Sequence, residues 1–261
     1  MEKLTSYAYD KYSQSGEDGI IEKIFEAIPA SYKQRMSIEF GAWDGFYLSN
    51  TANLWTNGWK GILIEADENK FIDLVQNVAD YDCVCINEFV SYPPENTLEV
   101  ILERHKVDYS EIDFLSIDID GDDWYVFESL DKLKPKVISC EFNVLLPAFS
   151  SYVQKRGATL DRPTHGCSAF ALTDLAMKKG YTLVSILSCN CIYVKNDYRG
   201  YFSNYLTGIE LIKDFIPYQR KRQRINKSMI WQKLYNIHYV YQKYGVRGVI
   251  KKVINKSSIV E

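Results

Sequence analysis

Apolar and polar residues alternate along the first 196 residues in two repeating patterns. In GEDGIIEKIFEAI (16–28), apolar side chains recur at the spacing of one helical face. The following segment, MSIEF (36–40), is short and mostly apolar, which is typical of a buried strand. Because the two patterns keep alternating, the chain is predicted to be an α/β protein.

The pattern predicts six helices and seven strands before residue 197. The helices are expected at 16–28, 50–57, 69–79, 97–105, 124–130 and 168–180. The strands are expected at 36–40, 61–67, 81–90, 113–120, 136–142, 181–187 and 191–196. Ser49 or Asn50 is expected to cap the second helix, since both side chains accept hydrogen bonds from helix N–H groups.

The order of these elements predicts the topology of the sheet. Five strands that alternate with helices imply right-handed crossovers and a largely parallel sheet. The last two strands are separated by a short turn and predict an antiparallel hairpin at the edge. This is a Rossmann-like, mostly parallel seven-stranded sheet, in which ligands bind beyond the carboxyl ends of the strands.

Charge divides the chain unevenly. Residues 213–261 contain twelve Lys/Arg and two Asp/Glu, a net charge of +10. Residues 1–212 contain 19 Lys/Arg and 32 Asp/Glu, a net charge of −13. The sequence therefore predicts an acidic domain at 1–212 and a basic, aromatic-rich helical extension at 213–261.

Composition points to an ordinary globular protein inside the cell. Apolar residues make up 46% and charged residues 25% of the 261 residues. The sequence lacks both an apolar run of the ~20 residues that span a bilayer and a signal-peptide pattern at its start. Four of the six cysteines form Cys-x-Cys pairs, which do not have zinc-finger spacing, so reduced cysteines are expected. We expect a cytoplasmic location.

The loop after the first strand, IEFGAWDGFYLSN (38–50), carries the most chemical information. Gly41 and Gly45 allow a sharp turn and close approach of a ligand. The third glycine of the dinucleotide fingerprint is missing, and the Asp44 carboxylate would repel a pyrophosphate but attract a cationic ligand. Glu65 ends the second strand about twenty residues later, where it can accept hydrogen bonds from both ribose hydroxyls. The cationic ligand at Asp44 could be an α-amino group or a sulfonium. S-adenosylmethionine carries both of these groups and a ribose.

Four segments resemble one family. YSQSGEDGII (12–21), IEFGAWDG (38–45), GILIEAD (61–67) and FLSIDIDGDDW (114–124) are similar to the FkbM-like S-adenosylmethionine-dependent methyltransferases. The resemblance covers roughly residues 10–196. It implies a class I methyltransferase fold and methyl transfer to oxygen, with acceptors that are often sugars of antibiotics, capsules or lipopolysaccharides.

The resemblance also implies roles for individual residues. The methionine end of the cofactor and its loop are assigned to Glu39, Gly41, Asp44 and Gly45. The other implied contacts are Glu65 to the ribose, Asn87 to adenine, Asp118 to the sulfonium and acceptor, and Ser13 and Gln14 over the cofactor. Asn50 completes the predicted cofactor set.

Acidic residues at the fourth and fifth strand ends suggest how the acceptor is activated. Asp118, Asp120, Glu141 and Asn143 offer oxygen atoms that suit Mg²⁺ or Mn²⁺, which would lower the pKa of an acceptor hydroxyl. In the alternative without metal, Asp122 and Asp123 simply open the next helix and Glu141 orients the acceptor. His165, among small residues before a helix, is a candidate general base beside Asp118 and Glu141, and it could equally be a metal ligand or a surface loop residue.

The function predicted from the sequence is therefore an S-adenosylmethionine-dependent O-methyltransferase. Its expected acceptor is a sugar or small phosphorylated group of a bacterial surface polysaccharide. Nucleic acid is not expected in the cleft, since the body of the chain is acidic. The basic extension is open to four interpretations: a cover for the active site, a dimer contact, a contact with an anionic membrane at the inner face, or a solvated helix.

Two rival functions stay open at this point. One is an NAD-dependent oxidoreductase or epimerase on a Rossmann fold, against which Asp44 and the missing third glycine count. The other is a non-catalytic assembly partner, with or without bound cofactor.

Overall fold

Seven strands form one mixed sheet in the computed structural model of the chain, which describes residues 1–29, 33–119, 121–158 and 165–224. The strands are β1 (Met36–Phe40), β2 (Lys60–Glu65), β3 (Cys83–Asn87), β4 (Phe114–Ile117), β5 (Val137–Glu141), β6 (Tyr181–Leu187) and β7 (Asn190–Lys195). Their order across the sheet is β3-β2-β1-β4-β5-β7-β6. β1 to β5 are parallel, and β7 runs antiparallel between β5 and β6.

Helices connect the strands. They are α1 (Glu17–Ala27), α2 (Ala52–Trp55), α3 (Glu68–Asn77), α4 (Leu98–Arg104), α5 (Asp123–Ser129) and α6 (Ala169–Lys178). Short 3₁₀ helices occupy Leu4–Tyr7 and Asn196–Phe202, and residues 209–216 are helical.

This strand order and the closing antiparallel hairpin are those of the class I methyltransferase fold, so the predicted fold class is confirmed. The chain leaves β1 in one direction to reach β2 and β3, and it returns on the other side of β1 to form β4 and β5. A crevice forms where the order reverses, beyond the carboxyl ends of β1 and β4.

The register of the parallel strands aligns their carboxyl ends. Glu39 of β1 pairs with Leu63 of β2 and with Ser116 of β4. Glu65, the last residue of β2, pairs with Asn87, the last residue of β3. The acidic strand ends therefore lie along a single edge of the sheet.

Apolar side chains cover both faces of the sheet. Ile62, Leu63 and Ile64 are successive residues of β2 and are all fully buried. Successive strand residues point to opposite faces, so burial of all three means that helices pack on each side. Two such side chains, Ile38 and Ile62, join the larger core cluster, whereas Leu63 packs with Trp55 and Leu74 on the opposite face.

Several elements are shorter than the sequence pattern predicts, and β3, expected at 81–90, spans only Cys83–Asn87. The helix expected at 50–57 is reduced to Ala52–Trp55, with Thr51 as its N-cap, and the Ser49 hydroxyl accepts from the Ala52 N–H at 2.9 Å. β4 ends at Ile117, because the chain turns at once and the Ile119 N–H donates to Asp123 Oδ1 at 2.9 Å. The strand predicted at 113–120 therefore ends before Asp118, and Asp120 lies outside the described residues.

The chain divides into one unit at residues 1–216 and a second at 217–261. Of the second unit, only residues 217–224 are described, and they are helical. The boundary predicted between 212 and 213 stays a prediction, and most of the predicted extension lies outside the described residues. Within the described part of the chain, we find no helix with the length and apolar character to cross a bilayer.

All six cysteines are free thiols. Burial raises the pKa of Cys83 and of Cys191 to about 12, so both stay protonated at neutral pH. Cys167, two residues after His165, is also buried, and burial raises its pKa well above the usual range. A protonated thiol is a poor nucleophile, so these cysteines are unsuited to covalent catalysis.

Candidate active site

A cavity of about 490 Å³ opens at the carboxyl ends of β1, β2 and β4, where the strand order reverses. Seven of the residues singled out in the sequence line it: Gln14, Glu39, Gly41, Asn50, Glu65, Asp118 and Glu141. Glu141 also lines a neighbouring cavity of about 140 Å³, together with Asp123, Asn143 and His165. The predicted cofactor and acceptor residues thus meet at adjoining cavities.

The loop after β1 brings backbone close to the cavity. Gly41 has φ +71°, and a Cβ atom at this position would lie 3.0 Å from the Asp118 carbonyl oxygen. Residue 41 must therefore be small for both conformational and spatial reasons. Its position beside Asp118 leaves room for a ligand where a side chain would stand.

Asp44 and Gly45 shape this loop and are not among the residues that line the cavity. The Asp44 carboxylate accepts from the N–H groups of Phe46 at 3.0 Å and Tyr47 at 2.7 Å, which closes a turn. A Cβ on Gly45 would lie 2.9 Å from Val78 Cγ1, so this glycine permits the loop to pack on α3. Both residues act on the site through the loop.

Glu65 lies where a ribose is expected. Its side chain is only 6% exposed and lines the cavity. Oε2 accepts from the Trp43 N–H at 2.8 Å, and Oε1 accepts from the Asp67 N–H at 2.8 Å. Each carboxylate oxygen can accept a second hydrogen bond, so Glu65 is held in place and can still bind two hydroxyls.

Glu39 is engaged differently, although it also ends a buried strand. Oε2 accepts from the Ser49 hydroxyl at 2.5 Å and the Thr51 hydroxyl at 2.7 Å, and Oε1 accepts from the Asn50 N–H at 2.8 Å. Burial raises the pKa of Glu39. The carboxylate holds the start of α2 against β1, so its first role in this structure is to fix Asn50 at the cavity wall.

The end of β3 places Glu88, rather than Asn87, at the cavity. The Asn87 amide donates to the Glu65 carbonyl oxygen at 2.8 Å, which ties β3 to β2. Glu88 lines the cavity and accepts from Arg104 at 2.6 Å, which lowers the pKa of Glu88. The sequence signal for Glu88 is its place directly after the apolar strand.

The N-terminal loop presents Gln14 and turns Ser13 inward. The Ser13 N–H and hydroxyl both bond Asp18 Oδ2, at 2.9 and 3.0 Å. The same oxygen accepts from the N–H groups of Lys11 and Tyr12 at 2.8 Å each. Asp18 therefore folds the loop that brings Gln14 to the cavity, a role that its place in the GED element did not reveal.

Three carboxylates gather where the two cavities meet. Asp118, Asp123 and Glu141 each offer an oxygen, and these atoms all lie within 4.8 Å of one another. Asp123 is the first residue of α5, and its oxygens accept from the N–H groups of Ile119 at 2.9 Å and Gly121 at 2.8 Å. Asp123 thus joins Asp118 and Glu141, a grouping that the sequence pattern did not indicate.

Asn143 supports the loop that carries His165. Its amide nitrogen donates to the His165 carbonyl oxygen at 2.7 Å, and its amide oxygen accepts from the Leu145 N–H at 2.9 Å. The predicted metal ligand is thus engaged with backbone. His165 itself lines the smaller cavity with Asp123 and Glu141, so the predicted base faces the same cavity as two of the carboxylates.

The charges around the larger cavity are mostly negative. Among the described residues that line it, five are acidic and one, Lys70, is basic. The Lys70 ammonium lies 3.6 Å from the centroid of the Trp43 ring, on which it is stacked. A cavity of this charge favours a cationic ligand and disfavours a pyrophosphate.

No protein-family model and no curated protein sequence matches the chain. Similar solved structures include a SAM dependent methyltransferase from Aquifex aeolicus, with 12% identity, TM-score 0.40, and 69% of this chain and 88% of that chain covered. A precorrin-6y C5,15-methyltransferase from Geobacter metallireducens has 12% identity, TM-score 0.40, and coverage of 72% and 94%. A TehB-like SAM-dependent methyltransferase from Corynebacterium glutamicum has 10% identity, TM-score 0.39, and coverage of 74% and 92%.

Similarities this low carry no argument about an activity. The fold assignment therefore rests on the strand order of the chain itself, and the function is argued from the residues of the two cavities. The resemblance to the FkbM-like enzymes stays a prediction.

Proposed function

We propose that the protein is an S-adenosylmethionine-dependent methyltransferase. The observation that carries the proposal is the buried Glu65 carboxylate, which lines the larger cavity with acceptor capacity left on both oxygens. Ribose hydroxyls at Glu65 would direct the methionine end of the cofactor toward Gly41 and Asp118. The acidic lining suits its ammonium and sulfonium charges.

In this proposal, Glu88 contacts the adenine of the cofactor. It lies beyond β3, next to the β2 end that carries Glu65, and it lines the same cavity. A carboxylate there can accept from the exocyclic amino group of adenine. Gln14, held over the cavity by the loop around Asp18, would contact the cofactor from the N-terminal side.

The acceptor site is the smaller cavity, and the proposed reaction is O-methylation. When bound, S-adenosylmethionine supplies a methyl group on a cationic sulfur, and S-adenosylhomocysteine is the product. Asp118 and Glu141 orient the acceptor hydroxyl in line with that methyl group, and the hydroxyl proton passes to His165 or to a carboxylate. Such a displacement depends on alignment and exclusion of water more than on strong bases.

The acceptor we propose is a hydroxyl of a sugar of a bacterial surface polysaccharide. The glycan class is supported by the sequence resemblance alone. Without a bound cation, the carboxylates of Asp118, Asp123 and Glu141 favour a neutral polyol over a phosphorylated group, because like charges repel.

Calorimetry with two ligands tests the cofactor class. We expect S-adenosylhomocysteine to bind the full-length protein with micromolar affinity, about −8 kcal/mol, and NAD⁺ not to bind. Binding of NAD⁺ alone would replace the proposal by the oxidoreductase function. Binding of neither would favour the non-catalytic assembly partner.

A divalent cation is a separable part of the proposal. Three carboxylates within 4.8 Å form a hard-oxygen donor set that fits Mg²⁺ or Mn²⁺. Asp118, Asp123 and Glu141 would hold the ion, which would polarise acceptor oxygens and lower the pKa of the hydroxyl.

We expect EDTA-treated protein to bind one Mn²⁺, seen as loss of the free-ion signal in electron paramagnetic resonance. Glu141→Gln should weaken this binding at least tenfold, about 1.4 kcal/mol, because one of three charged ligands is lost. Asp174→Asn, at an exposed carboxylate of α6, is the control and should bind like wild type. Absence of Mn²⁺ binding in the wild-type protein would limit the three carboxylates to orienting the acceptor.

A further inference from the structure

Gln154 is a buried amide outside both cavities, with a side chain only 3% exposed. Its amide nitrogen donates to Asp122 Oδ1 at 2.7 Å, and its amide oxygen accepts from the Gly166 N–H at 2.7 Å. Its backbone N–H donates to the Gly166 carbonyl oxygen at 2.9 Å, and its own carbonyl oxygen accepts from the Tyr125 hydroxyl at 2.7 Å. All four polar groups of Gln154 are thus hydrogen bonded, as burial requires.

The two ends of this side chain reach the immediate neighbours of two site residues. Asp122 directly precedes Asp123, one of the three clustered carboxylates, and Gly166 directly follows His165. The Gln154 amide therefore links the turn between β4 and α5 to the segment that carries the proposed base. A side chain with both ends held in this way fixes the distance between the two segments.

Gly166 lies close to the segments that follow β4 and β5. Gly166 has φ +77°, and a Cβ atom there would lie 3.7 Å from the Asn143 Cβ atom and 3.9 Å from the Gly121 Cα atom. A side chain at residue 166 would therefore reach contact distance of the segments after β4 and β5, so both segments lie close to Gly166. Movement of Gly166 would displace His165 relative to Asp123 and Glu141.

We propose that Gln154 is a positioning residue, which holds His165 against the carboxylates of the acceptor cavity. The inference rests on the proposed function for the meaning of that cavity, but its geometry can be tested without an acceptor. Gln154 is not among the residues that line the larger cavity, so its effect should be confined to the acceptor side.

An exchange of hydrogen-bonding groups provides the test. Gln154→Glu keeps an oxygen for the Gly166 N–H but places a second carboxylate against Asp122. The double variant Asp122→Asn with Gln154→Glu restores a donor opposite an acceptor and preserves the total charge. Asp122→Asn alone is the matched control, since its amide oxygen can still accept from Gln154, and Asp122 makes no side-chain cap to α5.

The readout is the imidazole Cε1–H signal of His165 in the full-length protein, recorded by NMR at pH 8. The chain has only three histidines, and His165→Gln identifies the signal. We expect Gln154→Glu to move the His165 signal clearly while the exposed His105 signal stays in place. The double variant should return the His165 signal to the wild-type position, and Asp122→Asn should leave it there.

Measurements of S-adenosylhomocysteine affinity and melting temperature distinguish positioning of His165 by Gln154 from a general stabilisation of the loop. The affinity for S-adenosylhomocysteine should stay within about twofold of wild type in all three variants, a change under 0.5 kcal/mol. A lower melting temperature in Gln154→Glu with an unmoved His165 signal would overturn the proposal, because Gln154 would then only stabilise the loop. Failure of the double variant to restore the signal would overturn it as well.

If Gln154→Glu does not fold, Gln154→Met removes both hydrogen bonds without adding a charge, and it should likewise move the His165 signal while the affinity for S-adenosylhomocysteine stays within about twofold. An unmoved His165 signal in Gln154→Met would overturn the proposal. If the proposed function itself is wrong, this would be seen separately, because the wild-type protein would not bind S-adenosylhomocysteine. The His165 signal would still decide whether Gln154 positions this residue.

Discussion

Glu65→Gln is expected to weaken binding of S-adenosylhomocysteine at least tenfold, about 1.4 kcal/mol or more. The wild-type carboxylate accepts the N–H groups of Trp43 and Asp67 on separate oxygens. A glutamine has only one acceptor oxygen, so its NH₂ group would face one of these donors. The substitution therefore removes a ribose contact and loosens the loop after β1. Isothermal titration calorimetry measures the affinity.

Glu68→Gln is the matched control for this experiment. Glu68 has the same chemistry and lies three residues later, exposed in the first turn of α3. We expect it to bind S-adenosylhomocysteine like the wild-type protein. Equal affinities for Glu65→Gln and wild type, in a protein with an unchanged melting temperature, would contradict the ribose assignment.

Gly41→Ala is expected to have the second large effect, a loss of S-adenosylhomocysteine affinity of about tenfold or more. An alanine at φ +71° is strained, and its Cβ would lie 3.0 Å from the Asp118 carbonyl oxygen at the cavity wall. Relief of that contact requires the loop or Asp118 to move, and both line the cavity. Affinity and melting temperature are measured together.

Gly58→Ala isolates the conformational part of this effect. Gly58 has φ +89°, and a Cβ there would meet no atom within 4 Å. Both alanine variants should lose stability from the left-handed backbone, about 1–2 kcal/mol each. Only Gly41→Ala should lose affinity for S-adenosylhomocysteine. Normal affinity in Gly41→Ala would mean that the ligand does not approach this loop.

The fold followed from local patterns in the sequence. The alternation of helical and strand periodicity placed all seven strands and six helices, because each element must present apolar residues to the core with its own repeat. Errors concentrated at the ends of elements, as at β4. There the Asp123 carboxylate binds the Ile119 N–H and turns the chain earlier than hydrophobicity suggests.

The lining of the larger cavity was partly predictable for a related reason. Parallel strands bring their carboxyl ends to a common edge, so residues that follow apolar runs must gather there. Glu39, Gly41, Glu65, Asp118 and Glu141 all line the cavity. Ser13, Asp44, Gly45 and Asn87 have hydrogen bonds or packing contacts that shape its surroundings instead.

The sequence by itself determined which elements form, and which residue types collect at the edge of the sheet. Only the tertiary structure decided how each polar group is used. Glu39 and Glu65 both end apolar strands, yet three donors from residues 49–51 occupy Glu39, whereas Glu65 holds one N–H on each oxygen. Partners such as Gln154 for Gly166 are brought together by the packing of loops, which carries no periodic signal. A hydrogen bond between two loops depends on how far apart the folded chain places them, whereas a strand depends mainly on its own residues.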